Sequence, residues 1–557
     1  MLLFTNSIDY IFGQLIESIA MKYHRILVLL FGLLLFNTTK AQEQFTVEIE
    51  PFVVNGAPNV HSYSWGKTTD GKWIIVGGRI DGLHQRQPFA AFLESSNNKF
   101  VFLVDLVNNQ SWSASLQTLP ASIYEQLQST NQEFQQRNNT LYVIGGYGYS
   151  TTEDEHITYP NLTAIDIDGL ANALINGTGI TSFFRQISDP VLAVTGGQLD
   201  LLNDTFYLCG GQYFEGRYNP MGPTHGPGFI QEYTDEIRKF EIVDDGSSLS
   251  INNYQAIQNT DDLHRRDYNM LPQIFPNGEQ GFTMFSGVFQ PNIDLPFLNT
   301  VDVTNSGYTV NNIFSQYLSQ YHSAKVPVFD STNSTMHSLF FGGMSQYTLD
   351  VNGNLIQDNN VPFVKTISRV TRNSDGSMVE SMLDIEMPAL LGSGAEFIPV
   401  DDPTLYLNNG IVDLNALPSG NTLIGHIYGG IESSQENIFF INNGTQSNAS
   451  NQIFRVFINK GILNTNEITL NGDTIFNLVV YPNPSKGHFM VDLFIPNSNK
   501  HYLEITDTGG RLIKSMVISK TIGRHSIDLD LTNFSTGEYL LTINNNSHIS
   551  KTKIIKQ

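Results

Sequence analysis

The sequence predicts an all-β protein made of repeated units, followed by a small separate β domain. Three observations support this prediction. Apolar runs of strand length recur along the 557 residues, several of them end in a pair of glycines, and the balance of charge changes sign near residue 481. Charged residues make up only 15% of the chain, below the average of about a quarter, and uncharged polar residues take their place. This composition is typical of extracellular all-β proteins.

Net charge and cysteine usage exclude several classes of function. The formal net charge is −23, which would repel a nucleic-acid backbone, and we expect no nucleic-acid partner. Cys209 is the only cysteine. An intramolecular disulfide, a Cys-x-x-Cys redox motif and a cysteine-based zinc site are therefore excluded.

The N-terminus resembles an export signal. A basic segment, residues 22–25, precedes an apolar run of 11 residues from Ile26 to Phe36, and the small residue Ala41 follows. This order is typical of a secretory signal peptide, and the run is shorter than the roughly 20 residues of a membrane span. We assign residues 1–41 to an N-terminal extension and signal peptide, with Met21 as an alternative start. No transmembrane segment is expected after signal removal.

The central part of the chain contains an internal repeat. Five apolar runs end in a double glycine: Trp73 to Gly78, Leu141 to Gly146, Phe206 to Gly211, Leu339 to Gly343 and His426 to Gly430. A degenerate sixth run, Phe282 to Gly287, lies between the third and the fourth. The last glycines of successive runs are 68, 65, 76, 56 and 87 residues apart. These residue types predict short strands with closely packed, sharply turning ends.

A second strand with an acidic end follows several glycine pairs. Examples are Phe100 to Asp105, Leu162 to Asp166 and Ile237 to Glu241. In the first unit, Trp112 and then Leu119-Pro120 come next. This order of strand, Gly-Gly, loop, second strand, Trp and Leu-Pro resembles the Kelch repeat, which implies that each unit is a four-stranded blade of a β-propeller. Later units keep the glycines, mostly lose the Trp and exceed the usual length of about 50 residues.

Six such units fit residues 55–460. The resemblance therefore implies a six-bladed Kelch-type β-propeller in a domain of residues 42–465. Seven blades are the alternative if a further unit lies within residues 351–425. A β-sandwich is the competing architecture, but it gives no reason for a Gly-Gly period.

A new domain begins near residue 481, after a link of residues 466–480. Residues 481–557 contain nine Lys or Arg against six Asp or Glu, opposite in sign to the whole chain. Pro482 and Pro484 predict a turn, because proline fixes φ and cannot donate to a strand ladder. Short, mostly alternating strands follow, which predicts a small β-sandwich.

The motifs of this segment resemble, in order, the type A C-terminal sorting domain of the type IX secretion system of Bacteroidota. They are Tyr481, Pro482, Asn483, Pro484, Gly487, Gly510, Arg511, Gly537 and Tyr539, with a Lys-rich apolar end. The resemblance implies partners in the type IX secretion machinery and its sorting peptidase. It also implies cleavage on release, or attachment to surface lipopolysaccharide, after passage through the periplasm. The alternative is an adhesive module that stays on the chain.

The segment His264-Arg265-Arg266-Asp267 is the first candidate site. It opens the fourth unit, and His61 to Trp65 and Tyr321 to Lys325, including His322, open other units. In propellers the innermost strand of each blade lines the central channel, so we expect these side chains to converge there. Arginines beside an aspartate could hold a carboxylate or a sugar hydroxyl. The favoured alternative is that the arginines pair with Asp267 or with a neighbouring blade.

The insertion of residues 212–233 is the second candidate. It contains Arg217 and His225 among aromatic, Gly and Pro residues. Long loops in compact domains are often functional, and aromatic side chains suit stacking on sugar rings. The equal alternative is a loop that only covers a blade edge.

We expect no metal and no cofactor. The oxidase relatives of this fold need a copper site with a cross-linked cysteine, but Cys209 lies in a blade strand where a buried apolar residue is expected. Residues 153–156, Glu-Asp-Glu-His, could attract a cation, although an acidic solvated loop is favoured. The sequence contains no His-Glu-x-x-His motif and no Gly-x-Ser-x-Gly motif.

The resemblances together imply an exported or surface-bound propeller that binds carbohydrate or protein. The alternative is a carbohydrate-active enzyme, such as a sugar epimerase or mutarotase, with its site in the channel around Arg265, Arg266 and Asp267. A purely structural surface protein is the third hypothesis. Whether the chain is an enzyme is left open by the sequence.

Overall fold

A computed structural model describes residues 45–350, 354–461, 468–470, 478–495, 500–507, 510–518, 523–544 and 549–557. The predicted signal peptide and most of the predicted link lie outside these residues. The described chain is all-β and forms many small sheets, which is consistent with a β-propeller. Its α-helices are short: α1 (Ala121–Leu127), α2 (Ile167–Asn176) and α3 (Thr260–Leu263).

The first described strand, β1 (Phe45–Phe52), pairs far along the chain, whereas the next strands form local meanders. The first sheet consists of β2 (Ser64–Lys67), β3 (Trp73–Val76), β4 (Phe100–Asp105) and β5 (Gln110–Ser115). The second sheet contains β6 (Glu133–Arg137) and β7 (Thr140–Ile144), then, after a hairpin of β8 (Tyr147–Ser150) and β9 (Glu155–Thr158), β10 (Asn161–Asp166) and β11 (Phe184–Ser188). Neighbouring strands in both sheets are antiparallel.

The third and fourth sheets repeat this plan. The third contains β12 (Gln198–Leu202) and β13 (Thr205–Cys209), then, after a hairpin of β14 (Gln212–Gly216) and β15 (Phe229–Tyr233), β16 (Glu236–Asp244) and β17 (Leu249–Gln258). The fourth consists of β18 (Asn269–Ile274), β19 (Gln280–Phe285), β20 (Thr300–Thr304) and β21 (Gly307–Asn311). The degenerate sixth run is therefore a second strand like the others.

The fifth and sixth sheets share the rest of this region. The fifth contains β22 (Ala324–Asp330) and β23 (Thr335–Phe341), then, after a hairpin of β24 (Tyr347–Leu349) and β25 (Leu355–Gln357), β26 (Thr366–Arg372) and β27 (Met378–Glu386). The sixth contains β28 (Leu390–Pro399), β30 (Gly420–Ser433), β32 (Ile453–Lys460) and β1, with β31 (Ser447–Ala449) beside β30. Two short strands, β29 (Val412–Asp413) and β33 (Ile468–Leu470), flank the fifth sheet. The described residues of 351–425 form no further four-stranded sheet.

The paired glycines mark the closest approach between successive sheets. Gly145 has φ +62°, and a Cβ there would lie 2.0 Å from the carbonyl oxygen of Val194. The amide of Gly146 donates to the same oxygen at 2.9 Å. The equivalent amide bonds run from Gly78 to Ser129, Gly211 to Arg265, Gly343 to Leu391 and Gly430 to Val60. Five of the six sheets therefore carry a glycine pair at this close approach, and the fourth has Ser286-Gly287 at the corresponding position.

Six backbone hydrogen bonds join the starts of the first strands into an unbroken cycle, which we call the amide ring. Each amide donates to the carbonyl of the preceding ring residue: Asn131 to Ser62 (3.2 Å), Gly196 to Asn131 (3.2 Å), Asp267 to Gly196 (2.7 Å), His322 to Asp267 (2.9 Å), Gly394 to His322 (3.0 Å) and Ser62 to Gly394 (2.8 Å). Ser62, Asn131 and Asp267 adopt φ between +48° and +51°. Such strained conformations persist only where the surroundings determine them.

Apolar side chains fill the space between neighbouring sheets. A buried cluster joins each successive pair of sheets, and one that contains Val60, Trp73, Ile398 and Tyr428 joins the sixth sheet to the first. Cys209 is buried in the cluster between the third and fourth sheets, as predicted.

The C-terminal segment forms two further sheets around a core of its own. One contains β34 (Val479–Tyr481), β35 (His488–Ile495) and β38 (Gly523–Asp530). The other contains β36 (His501–Asp507), β37 (Leu512–Ile518), β39 (Gly537–Asn544) and β40 (Ile549–Lys556). Both contribute buried apolar residues to one cluster. The side chain of Asn483 donates to the carbonyl of Lys553 and accepts from the amide of Ile555, both at 2.8 Å, and so holds β40.

Replacement of Gly145 by alanine tests the steric role of the paired glycines. Gly177 is the matched control, because its φ is +63° and a Cβ there would meet nothing within 4 Å. We expect Gly177→Ala to lower the free energy of unfolding by about 1–2 kcal/mol, the cost of a left-handed alanine. Gly145→Ala should cost at least about 3 kcal/mol, because its Cβ also clashes with backbone. Urea unfolding followed by tryptophan fluorescence measures both; equal losses would contradict the prediction.

Candidate functional site

The amide ring borders a cavity of about 570 Å³ that residues of all six sheets line. Side chains alternate along a strand, so equivalent positions of the six first strands face the same way. The third residue after each ring residue lines the cavity, and we call this set the cavity layer. Its members are Trp65, Phe134, Leu199, Met270, Lys325 and Phe397. The cavity layer is therefore apolar and largely aromatic, with a single cation.

Lys325, the cation of this layer, belongs to a small charged group. Its Nζ lies 3.3 Å from Nε2 of His322, and that nitrogen lies 2.9 Å from Oε1 of Glu396. Burial alone would raise the pKa of Glu396, but the charge of Lys325 and the contact with His322 hold that pKa below its ordinary value. Glu396 is therefore an ionised carboxylate with its counter-charges in place.

Asp200, on β12, lines the same cavity, and neither of its hydrogen-bond donors is charged. Its Oδ1 accepts hydrogen bonds from Nε2 of Gln135 at 2.6 Å and from the amide of Leu201 at 2.7 Å. Within the described part of the chain, Oδ2 of Asp200 forms no hydrogen bond. Burial raises the pKa of Asp200 to about 7, although the charge of Lys325 acts in the opposite direction.

Glu133 is a further carboxyl group in the cavity wall and has no charged partner within the described chain. Only 1% of the residue is exposed. Its Oε1 accepts from the amide of Gly197 at 2.7 Å, and its Oε2 has no partner among the described residues. Burial raises the pKa of Glu133 well above its ordinary value.

The structure brings Asp267 and His322, two of the predicted site residues, to the cavity. Asp267 accepts from Nδ2 of Asn131 at 3.0 Å and pairs with Arg266. Arg266 also donates to the hydroxyl of Tyr233 at 2.9 Å, and its guanidinium lies 5.2 Å from the ring centre of Phe289. The pairing of Arg266 with Asp267 is the alternative that the sequence favoured.

The structure places Arg265 and His264 away from the cavity lining. Arg265 is fully buried, its guanidinium lies 4.0 Å from the ring centre of Phe297, and it donates to carbonyl oxygens of Asp262 and Asn299. Its role is to join a turn to the fourth sheet. His264 lies 2.8 Å from Asp235 and stacks on a tyrosine ring.

The candidates of the insertion 212–233 are also apart from the cavity. Arg217 donates to Nδ1 of His156 at 3.2 Å and to the carbonyl of Pro88 at 3.2 Å, which ties three loops together. His225 is exposed on a turn. The two ends of this predicted loop pair as the β14–β15 hairpin, which the sequence did not indicate.

An open groove of about 830 Å³ lies beside that hairpin. Four glutamates, Glu153, Glu155, Glu215 and Glu232, line it. No group of three His, Cys, Asp or Glu side chains arranged to hold a metal ion occurs among the residues that the structure describes. His156, the remaining part of the acidic segment, is buried, and burial lowers its pKa to about 4.

Sequence analysis did not select the side chains that define the cavity. Trp65 and Lys325 lay in segments noted as counterparts of the candidate site, but Phe134, Asp200 and Glu396 carried no motif. A signal did exist, because cavity-layer residues stand three positions after each ring residue. That offset can be recognised only once the ring residues are known.

A comparison with family models identifies the C-terminal segment. Residues 479–557 match the family described as "Secretion system C-terminal sorting domain". This domain points to export to the cell surface or secretion, as predicted, and implies interaction with the type IX secretion machinery. No helix in the described ranges is long and apolar enough to cross a membrane.

Two solved structures are distantly similar to this chain. The solved structure titled "Structure of YjhT" is 11% identical, with a TM-score of 0.42, over 75% of this chain and 99% of that chain. The "Cryo-EM structure of RAG in complex with one melted RSS and one unmelted RSS" is 11% identical, with a TM-score of 0.35, over 73% of this chain and 99% of that chain. Among curated proteins, no match was found.

The raised pKa of Asp200 predicts a measurable pH dependence. A carboxyl group whose pKa is higher in the folded state stabilises the fold below its unfolded pKa, near 3.8, and this contribution is lost as pH rises through the folded value of about 7. The difference in unfolding free energy between wild type and Asp200→Asn should therefore decrease between pH 4 and pH 7, by up to about 1.4 kcal/mol per pH unit. Urea titrations across this range measure it.

Asp204→Asn is the control for this prediction, because Asp204 is exposed on the adjacent turn. A difference between wild type and Asp200→Asn that stays constant from pH 4 to pH 7 would contradict this prediction.

Proposed function

We propose that the chain is a type IX secretion cargo whose body, a six-bladed Kelch-type β-propeller, binds carbohydrate in the cavity bordered by the amide ring. The observation that carries the proposal is the cavity itself, because the first strands of all six sheets contribute equivalent positions to it. Ligand sites are characteristically concave, mostly apolar and provided with a few placed polar groups.

Three features support the propeller. The amide ring returns to its starting residue after six sheets. Apolar clusters lie between all successive pairs of sheets, including the sixth and the first. β1 supplies the outer strand of the sixth sheet, with Phe45 opposite Lys460, so that the two ends of the repeat region meet in one sheet.

The composition of the cavity wall supports a carbohydrate ligand. Trp65 and Phe134 are in edge contact, with ring centres 6.1 Å apart, and Phe397 adds a third aromatic side chain. Such rings offer apolar faces to the C–H bonds of a sugar. Asn131, which also lines the cavity, has a side-chain carbonyl oxygen that can accept a hydrogen bond from a hydroxyl group.

A small ligand fits this site better than a protein surface. Ligand pockets have volumes of about 300–1,000 Å³, whereas stable protein interfaces bury at least about 1,200 Å² of total surface. The cavity, at about 570 Å³, lies within the first range. This comparison favours carbohydrate over protein.

A carbohydrate-active enzyme is the second candidate. Asp200, with a pKa raised to about 7, could donate a proton, while Glu396, whose pKa is lowered, could accept one. Carboxyl groups whose pKa values are moved apart are typical of acid–base catalysis. NMR detection of anomer exchange in the bound sugars separates this candidate from a binding module.

Removal of the sorting domain tests the export route. A chain that lacks residues 479–557 should accumulate in the periplasm, because the matched domain directs the later secretion step. Fractionation and immunoblotting measure this. The full-length chain is the control, and surface display of the truncated chain would contradict type IX export.

Replacement of Trp65 tests the binding site. On a glycan panel, we expect Trp65→Ala to weaken binding by about tenfold or more, because the loss of one aromatic contact costs about 1.4 kcal/mol. Trp112→Ala is the matched control, because Trp112 lies on β5, outside the cavity lining. Unchanged binding in Trp65→Ala would place the ligand elsewhere, and the absence of any bound glycan would overturn the carbohydrate function.

A further inference from the structure

The two sheets of the sorting domain end in four outer strands, and three of these are protected against pairing with a further strand. β34 is only three residues long. β38 carries Arg524, Asp528 and Asp530. β40 carries Lys551 and Lys553. Short length and charged side chains are features by which proteins keep sheet edges from pairing with other chains.

The fourth outer strand, β37, lacks such protection. It has seven residues, none of them proline, and its single charged residue is Lys514. Nζ of Lys514 donates to the carbonyl of Asp530 on β38 at 3.1 Å, so this charge is directed at the other sheet. Among the residues that the structure describes, only β36 pairs with β37. In the described chain, the backbone N–H and C=O groups on the other side of β37 therefore have no strand partner.

Apolar side chains of β37 face solvent beside this edge. Leu512 and Val517 are 54% and 55% exposed, although other apolar residues of the strand pack on the core of the domain. Their partners in register are Thr506 and Tyr502, at alternate positions of β36, so both side chains lie on the outer face of the sheet, as does Ser515 between them. An edge with free backbone groups and exposed apolar side chains is a template for the addition of another strand.

We propose that the sorting domain docks on the type IX secretion machinery through the open edge of β37, to which a strand of the machinery adds. The match of residues 479–557 implies interaction with that machinery, and β37 lies within the matched residues. In strand addition, main-chain hydrogen bonds give affinity and alternate side chains give specificity. The partner strand is therefore apolar where it faces Leu512 and Val517. This inference rests on the type IX export route and is independent of the ligand in the cavity.

Lysine substitutions on β37 test the docking edge in the bacterium that produces the protein. In the full-length chain, Leu512→Lys combined with Val517→Lys places charge on the open edge. We expect the secreted fraction to fall by about tenfold or more, as for the loss of a few main-chain hydrogen bonds, with the folded chain retained in the periplasm. Ser515→Lys, at an exposed polar position, should have the same effect and decides the test if the double variant does not fold. Fractionation with immunoblotting measures location, and limited proteolysis measures folding.

Leu540→Lys is the matched control. Leu540 is 36% exposed and lies opposite Thr506 on the same face of the sheet. Its strand, β39, is already paired on both sides, with β36 and β40, and cannot accept a further strand. This variant should be secreted like the wild type.

The outcomes separate the docking edge from the export route. Secretion of the folded β37 variants at the wild-type level, or equal retention of Leu540→Lys, overturns the docking edge and leaves the route standing. A dimer of the purified full-length chain that the β37 substitutions dissociate also overturns it, because a second copy would then occupy the edge. Surface display of a chain that lacks residues 479–557 overturns both.

Discussion

The amide ring is the constraint on which the rest of the structure depends. A cycle of six backbone hydrogen bonds fixes the start of every first strand. Sheets held this closely leave no room for a Cβ at Gly145, Gly210, Gly342 and Gly429, where a backbone oxygen would lie 2.0 to 2.5 Å from it. Ser62, Asn131 and Asp267 adopt left-handed φ values where they take part in the same cycle.

The cavity is a consequence of that cycle. Once the first strands start at a common ring, their alternation brings equivalent side chains to a common space, and the cavity layer results. The six sheets carry different residues at these positions, and these residues determine which charged groups line the cavity. Lys325 and Glu396 balance each other across two sheets, whereas Asp200 receives only uncharged donors. The charges of the cavity therefore depend on the side chains that each sheet contributes and not on the repeating backbone.

The sequence predicted the repeated strands well, but it did not predict most of the side chains that line the cavity. Paired glycines after apolar runs identified the second strands of five sheets, since the close approach between sheets favours glycine there. The sorting domain was recognised because its motifs occur in a fixed order. The contacts of Arg265 could not be predicted from the sequence, because its partners, the ring of Phe297 and the carbonyl of Asn299, lie about 30 residues away along the chain. Phe134 and Asp200 were missed because their position relative to the amide ring can be seen only in the folded structure.

Native-state hydrogen exchange of the ring amides tests the central claim most directly. If the amide ring is closed and all six sheets depend on it, its amides should exchange only through global unfolding and show the same protection. These are the amides of Ser62, Asn131, Gly196, Asp267, His322 and Gly394. Exchange of the Ser62 and Gly394 amides much faster than that of Asn131 and Gly196 would contradict it, because the cycle would then be open between the first and sixth sheets.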